Sequence, residues 1–182
     1  MEINHDMPVL LSEGKTSPKV ESDLTKLKTL IQDSENRDNQ FNGLTQIKKT
    51  ILEVINQSDQ LNEFIQNCLD INLFEEINNI IIKKFEDLDL LFEAVWILIN
   101  ACCGTQEEVY QIIKTDILST LTEIIQQAIK HDNASEKSIN VAYHCVWVIG
   151  NIATDSAQHR DECLEKDLAN LIVAFNKKYS AI

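Results

Sequence analysis

The chain has 182 residues, 44% of them apolar, and a formal charge of −13 from 29 acidic against 16 basic side chains. That length accommodates one domain with a substantial core, and the acidic balance argues against nucleic acid, whose phosphates need a basic footprint, and points to basic partners. Five cysteines, Cys68, Cys102, Cys103, Cys145 and Cys163, show no CxxC spacing, which speaks against a disulfide framework or a zinc site and for a reducing, intracellular compartment, cytoplasmic or nuclear.

Residues 1–22 are polar, hold both prolines (Pro8 and Pro18) and Gly14, and show no sustained period. They read as a flexible tail. The segment has neither the basic start nor the long apolar core of a signal peptide. No later apolar run reaches membrane-spanning length, since Glu93 and Asn100 interrupt the best candidate. With prolines confined to this stretch, the remainder can be helical almost throughout.

From Asp23 the pattern changes. Leu24, Leu27, Leu30 and Ile31 recur at helical spacing and predict a helix ending near Asn36; Phe41, Leu44, Ile47, Ile51, Val54 and Ile55 predict a longer one to about Gln57. Residues 23–57 thus form an opening pair of helices. Ser58-Asp59 then suits an N-cap, followed by Leu61, Phe64, Ile65, Cys68 and Leu69. A middle helix is expected from about Asp70 to Lys84, and after Phe85-Glu86-Asp87 a long helix running toward a stop at Gly104. Residues 58–104 therefore make one three-helix unit, and 105–154 repeat the order: TQEEVYQIIKT, DILSTLTEIIQQAIK, a polar loop HDNASEK, and SINVAYHCVWVIGNIAT. A partial third unit occupies 155–182 and stops before another long helix.

One octapeptide occurs twice in equivalent places, VWILINAC from Val95 to Cys102 and VWVIGNIA from Val146 to Ala153. Each copy puts a Trp and an Asn four apart, Trp96 with Asn100 and Trp147 with Asn151, so ring and carboxamide share one helix face. A Trp on a helix is most often core, and an Asn there is often a hydrogen-bond partner between repeats. The same pair on successive units is a ladder instead, suited to an extended ligand. A carboxamide pairs with a peptide unit, and a Trp face takes the stem and charge of Lys or Arg. His159 and Cys163 lie four apart, but no further ligand pair sits near them to complete a metal site. No nucleophile with its base, paired carboxylates or phosphate-cradling glycine loop appears, so neither an enzyme nor a cofactor is expected.

FEAVWILINACCGT at Phe92–Thr105 and CVWVIGNIATDSAQHRDECL at Cys145–Leu164 resemble the second and third repeats of the importin-alpha family, the second through Trp147, Gly150, Asn151, Asp155, Arg160 and Asp161. The Trp96-to-Trp147 period is longer than the roughly 40–47 residues of armadillo and HEAT units, and the His131–Lys137 loop accounts for the surplus. The resemblance implies an all-α, right-handed armadillo-repeat solenoid of about two and a half to three and a half three-helix units. It also implies an adaptor that holds a Lys/Arg-rich nuclear localisation signal. Trp96 and Trp147 would slot lysine stems, Asn100 and Asn151 would clamp the peptide backbone, and Asp155 would meet the key lysine. Cys103, Gly104 and Thr105 occupy the matching end of the earlier repeat. Glu93 and His144, each three before a Trp, should share its face.

Three departures follow. The basic residues of 1–57 are dispersed (Lys15, Lys19, Lys26, Lys28, Arg37, Lys48, Lys49), unlike the Arg/Lys-rich importin-beta-binding segment of the family, so coupling to importin-beta is not implied. His144 stands where the family typically has Gln, and Cys103 where it has Ser. Each solenoid unit covers its neighbour, so a chain halting after a middle helix leaves Leu168, Leu171, Ile172, Ala174 and Phe175 without a successor. A second copy, another protein or the tail would cover them, which makes a structural subunit of a larger assembly the alternative function.

Overall fold

The computed structural model describes residues 19–179, so the tail expected at 1–22 lies, for residues 1–18, outside the described residues. Among the described residues there are ten helices and no strand: α1 (Lys19–Gln32), α2 (Arg37–Val54), α3 (Ser58–Asp70), α4 (Leu73–Lys83), α5 (Leu88–Ala101), α6 (Gln106–Ile113), α7 (Ile117–Lys130), α8 (Glu136–Asp155), α9 (Ala157–Glu165) and α10 (Leu168–Tyr179). No helix there is long and apolar enough to cross a membrane, and no cluster of metal-binding side chains is present among those residues.

Local chemistry sets many of the boundaries. Asn36, Asp87, Thr105, Ser135 and Ser156 each accept a backbone N–H of the first turn, capping α2, α5, α6, α8 and α9. At α6 the cap is reciprocal, because Glu108 accepts the Thr105 N–H at 2.7 Å. Ser156 also ends α8: its extended backbone (φ −152°, ψ 163°) breaks the chain between α8 and α9.

Three expected boundaries move. Gln57, rather than Ser58, occupies the N-cap of α3 and gives no side-chain cap. The middle helix starts at Leu73 instead of about Asp70, because Asn72 adopts a left-handed conformation (φ 53°) that interrupts the helix. Asp116 (φ 61°) and Asp167 (φ 58°) do the same immediately before α7 and α10, so one turn recurs at three equivalent joints. Asn and Asp visit this region at lower cost than other non-glycine residues. The loop before α8 is also shorter than HDNASEK, since Glu136 and Lys137 already belong to the helix.

The helices stack as repeating units. α2, α5 and α8 pack side by side in one layer; α1, α4, α7 and α10 form a second; α3 packs on α6. α5 lies between α2 and α8 and is buried on most of its circumference, the pattern expected of a helix apolar nearly all round. A single apolar core runs through all the units, from Leu24 and Ile31 through Phe74, Leu98 and Ile125 to Phe175. At the N-terminal ends of the third helices, Arg37 of α2 donates to Asp87 (2.6 and 2.9 Å) and Asp89 (3.1 Å), and Lys137 of α8 pairs with the same Asp89. This ion cluster ties α2, α5 and α8 at one end.

Candidate functional site

The layer of α2, α5 and α8 brings most of the expected site residues together, since side chains at i, i+3, i+4 and i+7 share a helix face. Phe92, Glu93, Trp96 and Asn100 lie on that face of α5, and His144, Trp147 and Asn151 on that of α8. The His144 ring meets Phe92 edge-on at 4.9 Å and is tilted over Trp147 at 6.4 Å. From α2, the Lys48 ammonium lies 5.9 Å from the centres of both the Phe92 and Trp96 rings. Lys48, Trp96, Phe92, His144 and Trp147 therefore form a continuous run across three helices. His144 Nδ1 is 2.8 Å from the Asn140 carbonyl; a carbonyl only accepts, so in this assignment Nδ1 carries the proton.

The two rungs that look alike in sequence differ here. Trp147 is 54% exposed and offers an open ring face. Trp96 is only half-buried from solvent, but Lys48 approaches it and is itself engaged by Glu93, which is nearly buried. Lys48 Nζ donates to Glu93 Oε1 at 2.7 Å and lies 2.6 Å from Oε2, the second contact lacking hydrogen-bond alignment.

The carboxamides also diverge. Asn151 Nδ2 donates across to the Ile99 carbonyl of α5 at 2.9 Å and contacts Cys103 Sγ at 3.6 Å. Asn100, buried, donates to the Trp96 carbonyl within its own helix at 2.8 Å. Both amide hydrogens of Asn151 and one of Asn100 thus serve the fold, which leaves the amide oxygens and the second Asn100 N–H for a ligand.

The remaining expected residues gather where α5 runs into α6 and α8 into α9. Thr105 caps α6. A Cβ at Gly104 would lie 2.6 Å from Glu108 Oε2 and 2.7 Å from Ile65 Cδ1, so the ends of both side chains would have to move to admit it. Cys103 is exposed and its Sγ contacts the Ile99 carbonyl at 3.5 Å; partial burial pushes its thiol up. Asp155 accepts from His159 Nδ1 at 2.7 Å, and the buried His159 ring stacks on Tyr110 at 6.2 Å. The Asp155 carboxylate is therefore already partnered and largely shielded.

Two contributors escape a reading by motif, Lys48 and Phe92. Phe92 sits four before Trp96 on the same face, a spacing visible in the sequence. Lys48 required knowing that α2 takes the third-helix place of a preceding unit.

No protein-family model matches the chain. It is similar to importin subunit alpha-6 of Arabidopsis thaliana, 25% identical over 145 residues, which is 79% of this chain and 24% of that protein. Among solved structures it is similar to a designed armadillo repeat protein in complex with the peptide (KR)4, with TM-score 0.58 and 22% identity over 79% of this chain and 52% of that one. A second designed armadillo repeat protein superposes with TM-score 0.58 and 19% identity over 78% of this chain and 52% of its own. The chain thus spans about a quarter of the curated relative and half of each designed protein. The fold is an armadillo-repeat α-solenoid, and the expected importin-alpha resemblance is present in the sequence.

Proposed function

We propose that this armadillo-repeat chain is a non-enzymatic adaptor whose third-helix layer holds an extended Lys/Arg-rich peptide of the nuclear-localisation type, with Trp147 as its principal cation slot. The observation that carries this reading is Trp147 itself, a large aromatic more than half exposed beside His144, on a chain of charge −13. An open indole face is the best cation-binding surface among side chains, and an acidic surface attracts basic chains. The designed relative bound to (KR)4 supports the same ligand class, and importin subunit alpha-6 supports a place in nucleocytoplasmic transport. The test is a titration with a fluorescent (KR)4 peptide: binding that weakens with added salt and in Trp147→Ala is expected, and no binding at low salt would refute it.

A second reading is a structural subunit docked in a larger assembly, through a partner protein or a second copy. It is favoured by exposed apolar side chains at the C-terminal units, Tyr143, Leu164 and Val173, and by the committed Asn151 amide. A stoichiometric complex in native extracts that persists at high salt, with no (KR)4 binding, would select it.

A further inference from the structure

We infer that the Trp96 rung is a lysine slot already filled by the chain's own Lys48, so that the two rungs of the ladder divide into a closed one and an open one. Three contacts converge on this lysine. Its ammonium is 2.6–2.7 Å from both oxygens of Glu93, 5.9 Å from the Trp96 ring and 5.9 Å from the Phe92 ring. A carboxylate beside two aromatic faces is the chemistry that selects an alkylammonium, because the rings take the apolar stem and the carboxylate takes the charge. Glu93 is nearly buried, so its charge needs this partner in place. Among the described residues no lysine or arginine head lies over the Trp147 ring, which is 54% exposed. A basic ligand therefore competes with a covalently tethered lysine at the first rung, and at the second it meets an exposed indole beside His144 with no described lysine over it. The difference between the rungs rests on the peptide-binding reading, but the identity of the slot does not.

The experiment uses the full chain carrying Trp147→Phe, which leaves Trp96 as its sole tryptophan, with and without Lys48→Ala. Removing the lysine stem opens a site that n-butylammonium matches in length and charge. Saturable change of Trp96 emission on adding n-butylammonium to the Lys48→Ala protein, absent with n-butanol and absent when Lys48 is retained, is the expected result. Equal responses to the amine and the alcohol, or an equal response with Lys48 present, would overturn the inference. If Lys48→Ala loses helicity, NMR on the unaltered chain decides instead. The Lys48 ammonium should exchange its protons with water more slowly than that of exposed Lys49 and show contacts to Trp96, and an ammonium indistinguishable from that of Lys49 would overturn it. Failure of (KR)4 to bind the unaltered chain counts against the proposed function alone. Where it binds, Lys48→Ala should tighten it by roughly threefold or more.

Discussion

Asn151 of α8 donates its amide to the Ile99 carbonyl of α5 at 2.9 Å, a bond from one repeat to the next. Ile99 lies in the last turn of α5, where carbonyls run out of partners in their own helix. The neighbouring orphans are satisfied locally: Leu98 accepts the Cys102 N–H, Asn100 that of Cys103, and Ala101 that of Gly104. Asn151 is thus a C-cap supplied from the adjacent unit, and it fixes the register of α8 on α5.

Asn151→Ala should therefore destabilise the fold by about 1–2 kcal/mol, because it leaves the Ile99 carbonyl only the weak Cys103 thiol as a donor. Asn100→Ala should cost clearly less, since the Trp96 carbonyl that Asn100 contacts lies mid-helix, where the backbone ladder already supplies an N–H. Thermal melts of the two variants check this. At about 2–4 °C per kcal/mol for a chain of this size, the expected gap is readily measured. Equal melting temperatures would contradict it.

Three helix-associated glycines separate by space alone. A Cβ at Gly43 would lie 2.6 Å from Ile31 Cγ2, a stiff β-branched group in the core, and one at Gly104 would press on Ile65 and on the capping Glu108. Alanine at Gly43 is expected to cost about 1–3 kcal/mol, and at Gly104 less, because there only the ends of two side chains need to move. At Gly150 an added Cβ meets nothing within 4 Å, so Gly150→Ala should stabilise by about 0.5–1 kcal/mol through helix propensity. Urea denaturation curves of the three variants should show opposite signs.

Acid should loosen the end cluster. The Arg37 guanidinium holds the Asp87 carboxyl below its ordinary value, so this pair stabilises the fold above the usual carboxylate range. The contribution disappears as pH falls through the depressed value. Asp87→Asn keeps a competent N-cap while removing the charge. Wild type is expected to melt higher than Asp87→Asn at neutral pH, the difference shrinking toward zero well below pH ~4. The difference will be modest, because both groups meet solvent. A gap that persists unchanged at low pH would rule out the ion pair as its cause.

The sequence makes α5 and α8 legible because their apolar period and the repeated Trp/Asn pair agree, although the Ser135 cap of α8 falls within the segment that reads as loop. Asp87, by contrast, stands immediately before the first long helix, as the sequence reads. The joints before the middle helices are not legible in that way. Asn72, Asp116 and Asp167 are short polar residues that suit a turn or a cap equally well, and only the backbone shows that all three take the left-handed form. The site divides along the same line. Residue spacing places Trp96, Asn100, Trp147 and Asn151 on one face, but it says nothing of competition from within the chain. Lys48 comes from α2, 45 residues before Glu93, and Asp155 is drawn to His159 four residues on. Such pairings depend on how units pack, and each one changes what a ligand finds.

The most direct measurement compares (KR)4 affinity in Trp147→Ala and Trp96→Ala side by side. An open second rung and a self-filled first rung predict that Trp147→Ala weakens binding by about 1–2 kcal/mol, roughly 5–30-fold, while Trp96→Ala changes it by less than about twofold. Equal losses in the two variants, or a larger loss in Trp96→Ala, would contradict the account.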